Sequence, residues 1–561
     1  MDFKSLSSTN KSEVPIDPVR IFETLPSLEH TPNDLWRGQD RALSGWHENR
    51  EKSDTLVCLN TGAGKTIVGL LVAQSLVNER VENVIYVCST IDLVRQTANE
   101  AKRLGIPCTT RTRGDFSNDL FETGKSFCVT TYQAMFNGLS AIARNHFPGG
   151  IIFDDAHVAE GMLRSAFSLK INKGEEPDLF GEIAALFEPH FSSLGVSGKF
   201  TDSLNSEYFS TVMAAPRGVI ERKEQLTNLL RQHGIKQHKD HRYVFAHLED
   251  HIDACAVVFS RGSVEISPPF LPSLSMDVFG NNVRRVYLSA TLQSQADFVR
   301  AFGRRPDVTI MPENDAGNGE RLILDGRKLP QGFSKDFVRS LSGQRKVVIA
   351  VPSYAHAKNW ADVTQPPNVS EFSDSLDKFR EKKTGAFLLV NRVDGIDLPA
   401  DTCRLMVIEG LPTGSSLLER FQFEYLRMNA LQGVRIAGRI AQLFGRINRG
   451  RNDFGAFLIE GKDVSVWLGN DRNVALLPPL LQKQIVVGNT VQEGLNINSD
   501  ESVIEAINRI MNRDEGWLEY YGNEVKSAEL DKNQRDRAER AEPFLVEAAL
   551  SEALLAHAIW E

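Results

Sequence analysis

Cysteine is scarce and scattered in this 561-residue chain. Its six cysteines, at 58, 88, 108, 128, 255 and 403, form no C-x-x-C pair. That excludes a disulfide-stapled secreted scaffold and fits free thiols in a reducing compartment. No stretch approaches the roughly 18 consecutive apolar residues of a membrane helix, so no span and no membrane partner are expected. The opening MDFKSLSSTNKSE is polar and lacks the apolar core of a secretory signal, which points to the cytoplasm. Low-complexity tracts and short-period repeats are missing too. A strong overall charge is also lacking over most of the chain. Of 73 acids and 64 bases, 17 acids and 9 bases fall between Asp471 and Glu561. The preceding 470 residues are close to neutral, with 56 acids and 55 bases. This excludes a protein that binds nucleic acid simply by being basic, but not one with a basic groove.

What is present is a rhythm. From Thr55, TLVCL, TIVGLLVAQSLV, NVIYVCS, IDLVRQTANEAKRL and FCVTT read as strand, helix, strand, helix, strand. Short apolar runs alternating with amphipathic stretches predict a parallel sheet covered by helices. A second set, RKVVIAV, GAFLLV, RLMVIEG and GAFLIEG, begins after about residue 316. Between the two α/β units, 161–282 carries helical pieces and little strand rhythm. Beyond 471 the chain is helical and acidic. There Val503, Ile504, Ile507, Ile510 and Met511 form a stripe expected to pack into a core, with partner docking as the alternative.

The sharpest local signal follows TLVCL. Asn60-Thr61-Gly62-Ala63-Gly64-Lys65-Thr66 opens the helix TIVGLLVAQSL, the setting of a phosphate-binding loop. Gly62 and Gly64 can take positive φ and turn backbone amides toward phosphate. Lys65 would reach the β- and γ-phosphates of ATP, and Thr66 would offer its hydroxyl to Mg²⁺. Leu59 stands where the pattern has glycine. Downstream, Asp154-Asp155-Ala156-His157 ends the apolar run GIIF. Asp154 would hold Mg²⁺ and Asp155 would orient or deprotonate the attacking water.

These residues resemble superfamily 2 helicases, whose further motifs are found in order. Trp36-Arg37-Gly38-Gln39 is similar to the glutamine element, which implies that Arg37 and Gln39 serve the nucleotide, with Gln39 on the adenine edge. Ser89-Thr90 with Gln96, and Thr130-Thr131-Tyr132, resemble motifs that touch nucleic-acid backbone. Ser289-Ala290-Thr291-Leu292 resembles the coupling motif, and Pro352-Ser353-Tyr354 the first motif of the second lobe. Asp394-Gly395-Ile396-Asp397-Leu398-Pro399 implies nucleotide contacts at Gly395 and Asp397, with Asp397 orienting the neighbouring arginine element. Gln442-Leu443-Phe444-Gly445-Arg446-Ile447-Asn448-Arg449 resembles the final catalytic element, implying Gln442, Arg446 and Arg449 as catalytic residues beside Lys65 and Asp155.

Ser-Ala-Thr-Leu, Pro-Ser-Tyr and the Gly410-Leu411-Pro412 sequence resemble the DinG and XPD group in particular. The resemblance implies an α/β fold with two RecA-like parallel-sheet lobes, an inserted mainly helical arch-like domain and a helical C-terminal region. The expected division is a polar lead-in at 1–30, a first lobe from 31–160 and 283–315, the insertion at 161–282, a second lobe at 316–470 and an acidic tail at 471–561. It also implies an ATP-dependent helicase or translocase acting on single-stranded or forked DNA, RNA being possible, with 5′-to-3′ polarity. The alternative is an ATP-gated clamp or sensor controlling a partner protein, with the acidic C-terminal region as its docking surface. Two features depart from the group. Cys88, Cys108 and Cys128 are too few for a four-thiolate iron–sulfur cluster, so none is expected. Asp155 stands in place of the usual glutamate. Separately, His247, His251 and Cys255 have zinc-ligand spacing on a helix, but ACAVVF reads as strand and favours a metal-free histidine-rich surface.

Overall fold

The computed structural model describes residues 14–561 apart from 27–31, 33, 60–62, 207–209, 281, 291–294, 313–318, 369–370, 392–397, 399–401, 415, 448–452 and 531. Two sheets carry the architecture. The first has eight strands in the spatial order Val308–Ile310, Asp54–Cys58, Arg284–Ser289, Gly150–Phe153, Val84–Cys88, Phe127–Thr131, Cys108–Thr112 and Asp115–Phe116. All its pairings are parallel except the last. Its central strands are buried on both faces, which is why TLVC and VIYVC read as continuous apolar runs rather than alternations. The second sheet is parallel throughout, ordered Glu320–Asp325, Phe454–Glu460, Leu405–Glu409, Lys346–Val351 and Gly385–Val390. The mixed α/β fold with two parallel-sheet lobes is thus the one the sequence rhythm predicts.

One charged group lies inside the first sheet. Arg285 is fully buried and donates to both carboxylate oxygens of Asp54, at 2.7 and 2.9 Å, while Tyr287 Oη donates to Asp54 at 2.6 Å. The bidentate geometry satisfies a charge pair that the apolar surroundings would otherwise expel.

The insertion holds more strand than its texture suggests. Leu169–Asn172, Ser263–Ser267, Ala256–Phe259 and Val212–Met213 form a four-stranded antiparallel sheet beside the helices Pro177–Ser193, Ser197–Asn205 and Lys223–Gln232. The strands are short, and Leu169–Asn172 pairs with a segment nearly a hundred residues later. Local periodicity does not register such pairing. The insertion also meets the second lobe. Glu265, buried in its sheet, accepts from Ser416 Oγ and Leu417 N, both at 2.7 Å, at the start of helix Leu417–Glu424.

The acidic C-terminal region divides between the lobes. Helix Pro479–Gly494 lies on the edge strand Glu320–Asp325, so closely that a β-carbon on Gly488 would collide with Ile323 O. Val503, Ile507 and Ile510 are buried in the second lobe's core, and Ile504 and Met511 pack against it, as expected of that stripe. Helix Lys532–Trp560 instead crosses to helix Gln295–Phe302 of the first lobe, through Val546 and Ala549. By length and composition this last helix is apolar enough to cross a membrane, although no such helix was expected from the sequence. Here Val546, Ala549, Ala553 and Ala556 are buried against the protein.

Candidate functional site

Strand Asp54–Cys58 leads through the glycine loop into helix Lys65–Asn78. Asn60, Thr61 and Gly62 lie outside the described residues. Gly64 holds φ +74° where the helix begins, a left-handed conformation that a side chain would strain. A β-carbon there would also collide with Gln39 Nε2, so the position suits glycine on two counts. Among the described residues no side chain caps the helix, which leaves its first amides, at Lys65 and Thr66, available to an anion.

Gln39 lies behind the loop rather than in front of it. It is buried in helix Arg37–Glu48, and its Nε2 donates to Ala63 O (3.2 Å) and Gly64 O (3.4 Å). Its Oε1 accepts from Trp36 N at 2.9 Å. Both ends of the amide are thus engaged by backbone, where the resemblance implies an adenine contact. Arg37 opens the same helix, and Trp36 beside it is exposed.

The carboxylate pair stands at the C-terminal end of strand Gly150–Phe153, where open α/β sheets place their ligands. Asp154 is buried; its N donates to Val87 O and its carboxylate accepts from Asp155 N at 3.1 Å. Asp155 adopts φ +48°, which turns its side chain away from the strand and back toward the loop. There Lys65 Nζ donates to Asp155 Oδ1 at 2.5 Å. Burial alone would raise the Asp155 carboxyl. The charges of Lys65, His157 and Arg446 override it and hold the group well below the usual carboxylate range. Arg446 belongs to the second lobe, so its field acts across the seam between the sheets. It is itself buried, and Leu398 N donates to its carbonyl at 3.0 Å. Leu398, from the D-G-I-D-L-P segment, therefore lies against Arg446. Gln442 is half-buried near the end of helix Asn429–Phe444, while Gly395, Asp397 and Arg449 lie outside the described residues.

The residues expected to touch nucleic acid divide by environment. Thr90, Thr131 and Ser353 are helix N-caps, accepting from Leu93 N, Ala134 N and His356 N. Gln96 is exposed on helix Ile91–Leu104. Thr130 is fully buried and donates to Arg111 O at 2.9 Å, so its side chain does not reach a surface strand in this structure. Ser289 is buried, and its carbonyl accepts from Leu59 N at 2.9 Å, which ties the coupling motif to the entrance of the glycine loop. Thr291 lies outside the described residues.

Sequence reasoning placed Tyr132 only in a nucleic-acid motif and missed that its Oη donates to Asp154 O at 3.1 Å, supporting the carboxylate pair from beneath. It also missed Glu160 and Arg435, which join the lobes. No local signal marks either pair.

Cys88, Cys128 and Cys108 sit on three adjacent strands of the first sheet. Burial pushes the Cys108 thiol up to about 11 and Cys128 to about 12. The histidine spacing does not produce one face. Helix His241–Leu248 ends before His251; His247 Nε2 lies 2.8 Å from Phe136 O, His251 stacks on Trp560, and buried Cys255 donates to His251 O. Glu176, His238 and His241 do bring donor atoms within 4.8 Å of one another. His238 Nδ1 already accepts from the amides of Asp240 and His241, which leaves the proton on its other nitrogen.

Residues 34–188 match the family described as the res subunit of type III restriction enzymes, and residues 332–462 match the helicase C-terminal domain family. Solved structures of similar fold include an XPD in apo form, with 16% identity and TM-score 0.49, covering 75% of this chain and 95% of that one. A second XPD helicase structure has 14% identity and TM-score 0.48, covering 76% and 96%. The Mycobacterium smegmatis helicase Lhr bound to ssDNA and AMP-PNP has 14% identity and TM-score 0.38, covering 81% and 50%. Among curated proteins there is no significant match. With the glycine loop in one lobe and the arginine element in the other, the two matched segments are the domains of a nucleic-acid helicase, an ATP-dependent class.

Proposed function

We propose that this protein hydrolyses ATP with Mg²⁺ and uses the cycle to move along, and separate, single-stranded or forked DNA with 5′-to-3′ polarity. The observation that carries the reading is the meeting of Lys65 and Asp155 at the glycine loop under the field of Arg446 from the other lobe. An uncapped helix N-terminus, a left-handed Gly64 and a buried carboxylate at a strand end suit a nucleotide triphosphate and its metal. Lys65 would exchange Asp155 for the β- and γ-phosphates, and Thr66 and Asp154 would hold the metal. Bound ATP supplies the phosphoryl group. Asp155, freed from the ammonium, recovers basicity and orients the attacking water. Arg446 and Arg449 neutralise charge developing on the γ-phosphate only while the lobes are closed, so turnover would be coupled to lobe motion.

The test is an ATPase assay beside strand displacement on duplexes with 5′ or 3′ single-stranded tails. Stimulated hydrolysis with opening of the 5′-tailed DNA supports the reading. Preference for RNA tails would change the substrate, and turnover without opening would favour an ATP-gated clamp.

A further inference from the structure

Beyond the nucleotide site, the seam between the lobes is bridged by charges of alternating sign. Glu160 lies in the first turn of helix Ala159–Ala166, which follows the carboxylate pair after one short turn. It pairs with Arg164 on its own helix at 3.3 Å and with Arg435 of the second lobe. Arg435 continues to Glu419 at 3.4 Å, and Glu419 to Arg439 at 3.1 Å. Arg439 in turn approaches Pro412 O in the Gly-Leu-Pro loop. The members at the seam are well shielded, with side-chain exposures of 13% for Glu160, 7% for Arg435 and 9% for Glu419.

The placement of this ladder matters more than its length. Arg435 stands on helix Asn429–Phe444, whose last turn holds Gln442 and which leads into Arg446. At 1.5 Å of rise per residue, Arg435 lies about 14 Å before the end of the helix at Phe444, from which the chain leads into Arg446. Glu160 stands five positions after Asp155 on the other side. The two active elements are thus tied at a second point, away from the nucleotide, by a buried ion pair. Such pairs add little net stability against apolar substitutes, but they fix register, because a displaced partner leaves an uncompensated charge.

We propose that Glu160 and Arg435 are positioning residues for ATP hydrolysis, holding the arginine element in register with Asp154 and Asp155. The proposal rests on the reading of Lys65, Asp155 and Arg446 given above. Neither residue is among those expected to contact the nucleotide, so nucleotide affinity is nearly unchanged when the pair is broken. The rate of hydrolysis falls.

The experiment compares the parent with Glu160→Gln, Arg435→Gln, the double variant and Glu160→Asp. Steady-state hydrolysis, the binding of a fluorescent ATP analogue and the melting temperature are followed together. The expected result for either single variant is a kcat lower by on the order of tenfold, the scale of coupling between sites, with analogue affinity close to the parent's. The double variant, carrying no buried charge at either position, recovers melting temperature but not kcat. Glu160→Asp keeps the charge, folds, and gives an intermediate rate, which provides the test should a single neutral variant fail to fold. Rates in the double variant that return with its melting temperature would reduce the pair to structural support and overturn the proposal. So would an unchanged kcat in folded single variants. A parent protein that does not hydrolyse ATP at all would instead remove the reading on which the proposal rests.

Discussion

Lys65 and Asp155 hold each other in place of the partners that the proposed hydrolysis would require. The 2.5 Å contact stabilises the ionised acid and, for the same reason, makes it a weak base. In the proposed cycle, exchange of Lys65 onto phosphate would remove the largest favourable charge from Asp155 and raise its proton affinity when a water is to be oriented. Asp155→Asn is therefore expected to keep ATP and Mg²⁺ through Lys65, Thr66 and Asp154, while hydrolysis falls by on the order of 10²–10⁴-fold, the range of acid–base catalysis. Single-turnover hydrolysis beside nucleotide binding separates the two effects. Asp155→Glu probes the reach of the side chain. The left-handed backbone at 155 already aims the shorter acid at the loop, so the extra methylene is expected to crowd the water and slow turnover. The glycine loop and the acid pair are legible in sequence because their chemistry is local: a strand end, a few residues, a helix start. The orientation of Gln39 is not, since one amide can serve either a base edge or the backbone behind it, and only packing decides.

Between elements, the forces are buried charges whose partners lie far apart in sequence. Asp54 and Arg285 are 231 positions apart yet hold adjacent strands together in the first sheet. Asp54→Ala would leave the guanidinium buried and unpaired, with an expected loss of about 3–5 kcal/mol in a chemical denaturation series. At the seam, burial raises the Glu160 carboxyl, but the charges of Arg435 and Arg164 outweigh it and hold the group down at about 2. A carboxyl lowered in the folded state contributes stability above its ordinary titration range and loses it as pH falls toward the lowered value. The difference in melting temperature between the parent and Glu160→Gln should accordingly hold steady above about pH 5 and shrink between about pH 4.5 and 2. A difference that grows in acid would assign the shift to another group. Glu160 and Arg435, separated by 275 positions, escape sequence reading because each resembles an ordinary charge on a helix. The insertion's sheet escapes it too, since its strands are two to five residues long and pair across other elements. The parallel lobes do not escape it: buried strands alternating with covering helices leave a periodic apolar trace.

At the scale of the molecule, the two lobes are held by more than the nucleotide site. Ser373 donates to Asp92 across the seam at 2.9 Å, Glu265 of the insertion caps a helix of the second lobe, and Arg300 of the first lobe donates to Glu552 of the last helix at 2.8 Å. The last helix also reaches the insertion, where Trp560 packs edge-on to Phe167. These contacts join the two lobes, the insertion and the C-terminal helix to one another. Little of this assembly could be read from sequence, because charge runs and acidic helices look alike whether they cross a seam or face water. Removing Arg446 tests the seam itself: Arg446→Ala should still bind ATP but turn it over more slowly by on the order of 10³-fold or more, the scale of arginine fingers. The central claim is that the glycine loop and the arginine element form one strand-stimulated ATPase. The most direct measurement is the rate of ATP hydrolysis by the full chain with and without single-stranded DNA, alongside Lys65→Ala. The account predicts hydrolysis that rises with the strand and is abolished in Lys65→Ala at an unchanged melting temperature; equal rates in the parent and a folded Lys65→Ala would contradict it.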